Sequence, residues 1–273
     1  MSQRSTVRKP AVLVTGASMG IGAVYAERFA QRGHDLVLVA RDRAKLETLA
    51  QRLRQETGVG VDIVQADLTD ASDLTKVETR LRGDERIGIL VNNAGASLAG
   101  TFIDQTTDAT ANLIGLNTIA VRRLSGAVAP RFVKAGKGSI INIASVVGLS
   151  PEFGSTVYGA TKAFVLFLSQ GLNLELGPKG VYVQAVLPAA TRTDIWAKSG
   201  RDVNAIPGMM EVEELVDAAL VGFDRRETVT IPPLPDDAQW EMFDGARKAM
   251  LPSFRNEHAG ERYQTKRRVL QPA

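Results

Sequence analysis

Aliphatic residues gather in short runs at 11–14, 35–40, 61–65, 87–92, 138–143, 181–187 and 228–231, and the stretches between them follow a different rhythm. Runs rich in Val, Ile and Leu on consecutive positions are what strands buried on both faces require. In the gaps, 21–32 and 43–57 repeat apolar positions at three-and-four spacing with charges opposite, the stripe of a helix lying on a sheet. Strand and helix in alternation imply parallel pairing through right-handed crossovers. The expected fold is therefore α/β, a doubly wound (Rossmann-type) parallel sheet of about seven strands with helices on both faces. Sheets of that kind bind ligands at the carboxyl ends of their strands.

The rhythm breaks after residue 231, where Pro232, Pro233 and Pro235 remove backbone donors and exclude regular structure. Residues 240–250 then read as a short amphipathic helix, and Lys266, Arg267 and Arg268 as a solvated basic end. The chain divides into a main domain, 1–230, and a Pro-containing extension, 231–273, expected to pack on the same domain or on a partner subunit.

Composition narrows the classes. With 273 residues, 44% of them hydrophobic, the chain can bury one large core. It has no cysteine, which excludes disulfides, thiolate metal sites and cysteine nucleophiles, and its two histidines, His34 and His258, have no metal-ligand company, so no metal is expected. The 33 basic and 30 acidic residues are too evenly mixed for a nucleic-acid partner. Residues 1–10 lack the apolar core of a signal peptide, and no uncharged apolar run approaches the ~20 residues of a membrane span. A cytoplasmic protein with no membrane partner is expected.

Three stretches carry candidate chemistry. At Thr15-Gly16-Ala17-Ser18-Met19-Gly20-Ile21-Gly22 the first run stops at glycines and a helix pattern follows. Such a turn brings backbone N–H groups and a helix N-terminus to one point, where a pyrophosphate can sit. Gly16 permits the bend, Gly20 removes a Cβ that would block the ligand, and Gly22 lets helix and strand approach. Three glycines at this spacing arise by chance in roughly one shuffled chain in five, so position and company must decide.

Tyr158 and Lys162 lie four residues apart, one turn of a helix on a shared face. On their own they fit an ordinary helix with one buried and one exposed side chain as well as a reactive pair. Lowering a phenol by about 3 units from ~10 requires roughly 4 kcal/mol. A unit charge at about 4 Å supplies ~1 kcal/mol in water and ~4 at the effective dielectric of a protein surface, so Lys162 suffices only in a partly dehydrated cleft. Asn92-Asn93-Ala94-Gly95 closes the fourth run, where Ala94 and Gly95 admit a flat ligand and Asn93 can bond to neighbouring strands; a simple turn is the alternative. Ser145, thirteen residues before Tyr158, can donate to a carbonyl oxygen or serve as a turn residue.

In this order the elements resemble the short-chain dehydrogenase/reductase family, from about residue 11 to 193. The family patterns Thr-Gly-x-x-x-Gly-x-Gly, Asn-Asn-Ala-Gly and Tyr-x-x-x-Lys match Thr15 to Gly22, Asn92 to Gly95, and Tyr158 with Lys162. The resemblance implies Ser145 as the residue that polarises a substrate carbonyl, Tyr158 as proton donor, Lys162 as the group that lowers the Tyr158 pKa and grips the nicotinamide ribose, and Asn117 as a helix-distorting residue holding a water. It places cofactor contacts at Gly16, Ser18, Met19, Gly20, Ile21, Gly22, Asn93, Ala94 and Gly95. Asp67 and Leu68 match the pair that holds adenine, with Asp67 or Asp70 as a helix cap the plainer reading. Arg41, after the second strand, stands where an acidic residue would bind the 2′-hydroxyl of NAD, so NADP(H) is preferred over NAD(H).

After the sixth run Ala189 replaces a family glycine, which is tolerable if its φ is negative, and Pro188, Thr191 and Thr193 are expected to frame the nicotinamide. A substrate lid is expected at about 189–212. Ser97, Leu98, Val147, Pro151, Phe153, Trp196 and Met209 form the expected pocket, an apolar set suited to bulky uncharged ketones. The implied activity is NADPH-dependent reduction of a ketone or aldehyde to an alcohol, reversible, on a small-molecule substrate by a homodimer or homotetramer. The alternative is an NADP(H)-binding regulatory or partner-binding protein with little turnover.

Overall fold

The computed structural model describes residues 9–193 and 208–263. The chain forms two compact units, Met1–Pro233 and Leu234–Ala273. The first is built on seven parallel strands: β1 (Ala11–Thr15), β2 (Leu36–Ala40), β3 (Val61–Gln65), β4 (Ile87–Asn92), β5 (Gly138–Ile143), β6 (Val181–Val186) and β7 (Val229–Thr230). Their order in the sheet is β3-β2-β1-β4-β5-β6-β7. Each expected strand is present, the last trimmed to two residues. The chain runs outward from β1 to β3 and returns to β4 on the other side, so the order reverses between β1 and β4 and a crevice opens at their carboxyl ends.

The helices are α1 (Gly20–Gln31), α2 (Arg43–Thr57), α3 (Ala71–Gly83), α4 (Thr107–Ile114), α5 (Val121–Ala135), α6 (Thr156–Leu176) and α7 (Val212–Asp224). Alternation within β1 sorts them into two layers. Val12 and Val14 join Val24, Phe29, Leu46 and Val216 on one face, while Ala11 and Leu13 join Leu74, Leu124, Phe132 and Leu176 on the other. Both faces are dry, which accounts for the unbroken apolar runs in the sequence. The α1 and α7 helices are also clasped by Arg28 to Asp217 at 2.7 Å and Arg32 to Asp224 at 2.9 Å.

The outer strand β3 has cations on carbonyls near both ends. Arg54 donates to Val61 O, and Lys76 Nζ donates to Gln65 O at 3.2 Å. The second unit carries α8 (Ala238–Ala249), within which the rings of Trp240 and Phe243 lie 5.6 Å apart. Met242, Phe243, Met250, Leu251 and Phe254 are exposed. The expected helix at 240–250 is thus found, two residues earlier at its start. Among the described residues no helix is long and apolar enough to cross a membrane.

Phe29 anchors the α1 layer. It is fully buried, with its ring 6.2 Å from Tyr25, 5.4 Å from His34 and 6.0 Å from Phe223. Phe29→Ala should cost about 3–5 kcal/mol of stability. Urea denaturation checks this, and a loss under about 1 kcal/mol would show that the layer collapses freely into the space.

Candidate active site

The turn from β1 to α1 takes its shape from two left-handed glycines, Gly16 at φ 65° and Gly20 at φ 54°. The third glycine is required by packing: a Cβ on Gly22 would stand 2.4 Å from Gly16 O and 2.4 Å from Asn93 Nδ2. Helix α1 begins at Gly20, and the side chain of its N-cap, Met19, caps none of the first N–H groups. Among the described residues, a Cβ on Gly20 would meet only Thr193 within 4 Å, at 3.4 Å. The exit of β6 therefore lies beside the turn, leaving a cradle with the polarity and backbone access a pyrophosphate needs. Ser18 and Ile21 are half-buried on its rim.

A residue not singled out from the sequence, Thr15, holds this turn to β4. Its buried hydroxyl accepts from Asn93 N and Ala94 N, each at 3.0 Å, and donates to Val91 O. Asn93 replies through Nδ2 to Thr15 O at 2.9 Å and Gly16 O at 3.2 Å. The cross-strand bonding expected of Asn93 is present, and the glycine turn is tied to the end of β4 by side chains from both. The signal was there in the threonine preceding Gly16, but its partners lie 78 residues away.

Asn117, Ser145, Tyr158 and Lys162 converge at the carboxyl ends of β4 and β5. Between α4 and α5 the helix widens into a π-helical segment, Gly115–Ala120, with Asn117 buried inside it. Asn117 Oδ1 accepts from Ala96 N, and its Nδ2 donates to Ala96 O and to Thr161 Oγ1, all at 3.0 Å. The side-chain amide is thus engaged as a strap between the loop after Gly95 and α6. Thr161 completes the strap by donating to Tyr158 O at 2.7 Å; it too escaped the sequence reading. A Cβ on Gly95 would stand 3.3 Å from Asn117 Oδ1 and 3.6 Å from Lys162 Nζ. The missing side chain there leaves the lysine facing the crevice.

Lys162 is buried and donates to Ile143 O at 2.8 Å. Burial lowers its pKa from the ordinary 10.5 to about 8. Tyr158 responds in the opposite sense: burial pushes its phenol up to about 12, opposed by a hydrogen bond with Ser145. In the ligand-free chain the direction of the Tyr158 shift is thus set by burial and by Ser145. The ammonium is turned to the Ile143 carbonyl and lies 5.6 Å from the centroid of the phenol ring. Buried Ser145 Oγ donates to Pro188 O at 3.2 Å, which joins the end of β5 to the exit of β6.

At the far end of the crevice, an Arg41 guanidinium nitrogen lies 3.7 Å from Asp67 Oδ2, with Arg41 largely exposed. Burial would raise the Asp67 pKa, but bonds from Thr69 and the charge of Arg41 hold it below the ordinary range. The cap of α3 is Asp70, which accepts from Ser72 N and Asp73 N, while Asp67 Oδ1 closes a turn by accepting from Thr69 N and Thr69 Oγ1. Leu68 is buried behind it. A cleft of about 410 Å³ opens here, lined in part by Arg41, Gln65, Asp67 and Lys76.

Ala189 carries no left-handed strain, since Arg226 is the described non-glycine residue with positive φ. Thr191 is buried, bonds Ala189 O at 3.0 Å and pairs with Met210 in an isolated parallel bridge. Of the expected pocket, Ser97, Leu98, Val147 and Met209 are half-buried, whereas Pro151 and Phe153 stand exposed on a short 3₁₀ turn. Trp196 and most of the expected lid, 194–207, lie outside the described residues.

The family model for short chain dehydrogenases matches residues 10–204. A short-chain dehydrogenase from Sphingobium yanoikuyae, solved in complex with NADPH, is 65% identical and superposes with a TM-score of 0.92, covering 93% of this chain and 100% of that one. The bulky-bulky ketone specific alcohol dehydrogenase from Comamonas testosteroni is 59% identical with a TM-score of 0.89, covering 95% of this chain and 100% of that one. Very-long-chain 3-oxoacyl-CoA reductase-B of Danio rerio is 38% identical over 199 residues, which are 71% of this chain and 63% of that protein. The chain thus spans less than two thirds of that curated relative.

The dehydrated ammonium has a measurable cost. Below pH 8 Lys162 is charged in both folded and unfolded chains, and the folded state bears the penalty in full; above 10.5 it is neutral in both and the penalty is gone. Lys162→Met should therefore stabilise the ligand-free protein at pH 7, by on the order of 1–3 kcal/mol after loss of the Ile143 bond. The gain should shrink as pH rises from 8 to 10.5. Thermal unfolding of both proteins across that range checks it, and a variant less stable at pH 7 would contradict it.

Proposed function

The chain belongs to the short-chain dehydrogenase family, and from that premise we propose that this oxidoreductase is an NADPH-dependent reductase of carbonyl compounds, reversible between ketone or aldehyde and alcohol. What carries the reading is the convergence of Ser145, Tyr158 and buried Lys162 beside side-chain-free Gly95 at the crevice between β1 and β4. The dinucleotide fits the residues present. Gly16, Gly20 and Gly22 with the N-terminus of α1 would hold its pyrophosphate, Asp67 and Leu68 its adenine, Arg41 and Ser18 a 2′-phosphate, and Lys162 with Asn93 to Gly95, Pro188, Thr191 and Thr193 its nicotinamide half. When bound, the dihydronicotinamide supplies a hydride equivalent.

The chain's own groups do the rest. Ser145 orients and polarises the substrate oxygen by donating a hydrogen bond to it. Tyr158, protonated at neutral pH as a phenol ordinarily is, delivers the proton in the reductive direction. In the reverse direction a phenolate must form, and Lys162 is the cation within reach to favour it. The π-helical segment turns Asn117 inward beside Lys162, where its backbone would hold the water of a proton relay to the lysine.

A large, uncharged ketone suits the apolar residues at the mouth: Leu98 and Val147 with exposed Phe153. The named specificity of the Comamonas testosteroni protein for bulky-bulky ketones, and the carbonyl in the substrate named for the Danio rerio protein, support this class. The complex of the Sphingobium yanoikuyae protein supports NADPH over NADH. We assign the enzyme to the cytoplasm as a homodimer or homotetramer with a substrate lid at about 189–212.

A steady-state scan of NADPH oxidation against aldehydes, ketones and quinones tests the activity directly. Tyr158→Phe should bind NADPH as the parent does and lose turnover by roughly 10²–10⁴-fold; retained turnover would remove Tyr158 from the role of acid. Arg41→Asp should raise the dissociation constant of NADPH by at least about tenfold more than that of NADH. Fluorescence titration with both cofactors measures it, and equal effects would take Arg41 out of phosphate recognition.

A further inference from the structure

Behind the assigned residues, four buried polar side chains join the sheet to the helix that carries Tyr158 and Lys162. Asn92 on β4 and Asn142 on β5 are direct partners in register. Asn92 Nδ2 donates to Asn142 Oδ1 at 2.9 Å and to Ser125 Oγ on α5 at 3.0 Å. Asn142 Nδ2 donates to Ser169 Oγ on α6 at 2.9 Å, and Ser169 donates to Val165 O at 2.7 Å. None of the four is more than 3% exposed.

Stability alone is a poor account of this ladder. Apolar side chains of similar size would fill the same space without the risk of unpaired groups, and replacing such polar pairs by them is often neutral or favourable. Asn92 Oδ1 is in fact left buried with no partner. Hydrogen bonds add what apolar contact lacks, a fixed distance and direction.

The ladder fixes the part of the structure where direction matters. Ser169 lies seven residues beyond Lys162, two turns along the same face of α6. Asn142 immediately precedes Ile143, whose carbonyl accepts from Lys162 Nζ, and Ser145 follows two residues later. Strand β5 and helix α6 are therefore joined by two rungs, Asn142 to Ser169 in the core and Ile143 to Lys162 in the crevice. We propose that Asn92, Asn142 and Ser169 are positioning residues that set the height of α6 along β5, and with it the place of Tyr158 and Lys162 relative to Ser145. The inference rests on the reductase reading, because it assigns the ladder to that reaction's geometry.

The test compares the full-length enzyme with Asn92→Leu/Asn142→Leu/Ser169→Ala. Turnover is normalised to NADPH sites counted by fluorescence titration, and thermal unfolding is measured alongside. Expected is a fall in kcat of at least about tenfold per site with the NADPH dissociation constant and Tm close to those of the parent, since sub-ångström misplacement of reacting groups is costly. A folded triple variant with parental kcat overturns the proposal, as does a loss that merely tracks the folded fraction. Should the triple variant fail to fold, Ser169→Ala decides: a reduced kcat at unchanged cofactor affinity, recovered by Ser169→Thr, supports the ladder, and an unchanged kcat refutes it. A parent enzyme inactive on every carbonyl sinks the reductase reading and this inference together, whereas an active parent matched by its variants sinks the ladder alone.

Discussion

Lys162 keeps its ammonium in a crevice that excludes most water, and the carbonyl of Ile143 replaces only part of the hydration it gives up. Much of the surrounding structure follows from that constraint. A cation so placed favours any negative charge or lone pair brought near it, so the site is complementary to a phenolate or to ribose hydroxyls before either is present. Tyr158 is under the same dehydration and prefers to remain neutral. Dehydration thus favours the neutral form of both groups, lowering the pKa of the lysine and raising that of the phenol.

Holding such a pair requires a rigid frame, and the frame is made of irregular backbone tied down by side chains. The π-helical segment at Gly115–Ala120 spends regular helix geometry to turn Asn117 inward, where its amide bonds both backbone groups of Ala96 and the hydroxyl of Thr161. Thr15 and Asn93 do the same for the glycine turn. The two straps lie on either side of Ala94 and Gly95, so the floor of the crevice is fixed from both ends.

Much of this was legible from local pattern. The inner strands are buried on both faces and so announced themselves as aliphatic runs, and Gly16, Gly20 and Gly22 occur where backbone conformation or close approach admits nothing larger. The residues missed have partners distant in sequence. Thr15 gains its role from Asn93, Thr161 from Asn117, and Asn142 from residues on β4 and α6, none of which local spacing reveals. How much water Tyr158 and Lys162 each lose is likewise a property of the assembled crevice and not of their spacing. Pro151 and Phe153 stand exposed on a 3₁₀ turn, a placement that local pattern does not carry.

The two margins of the sheet differ in how they end. On one side β7 offers only two residues, too few to template a neighbour. On the other, β3 is a full strand, but Arg54 and Lys76 occupy its carbonyls at Val61 and Gln65. An incoming chain would have to displace two cations before it could add an eighth strand, which opposes edgewise aggregation at high concentration.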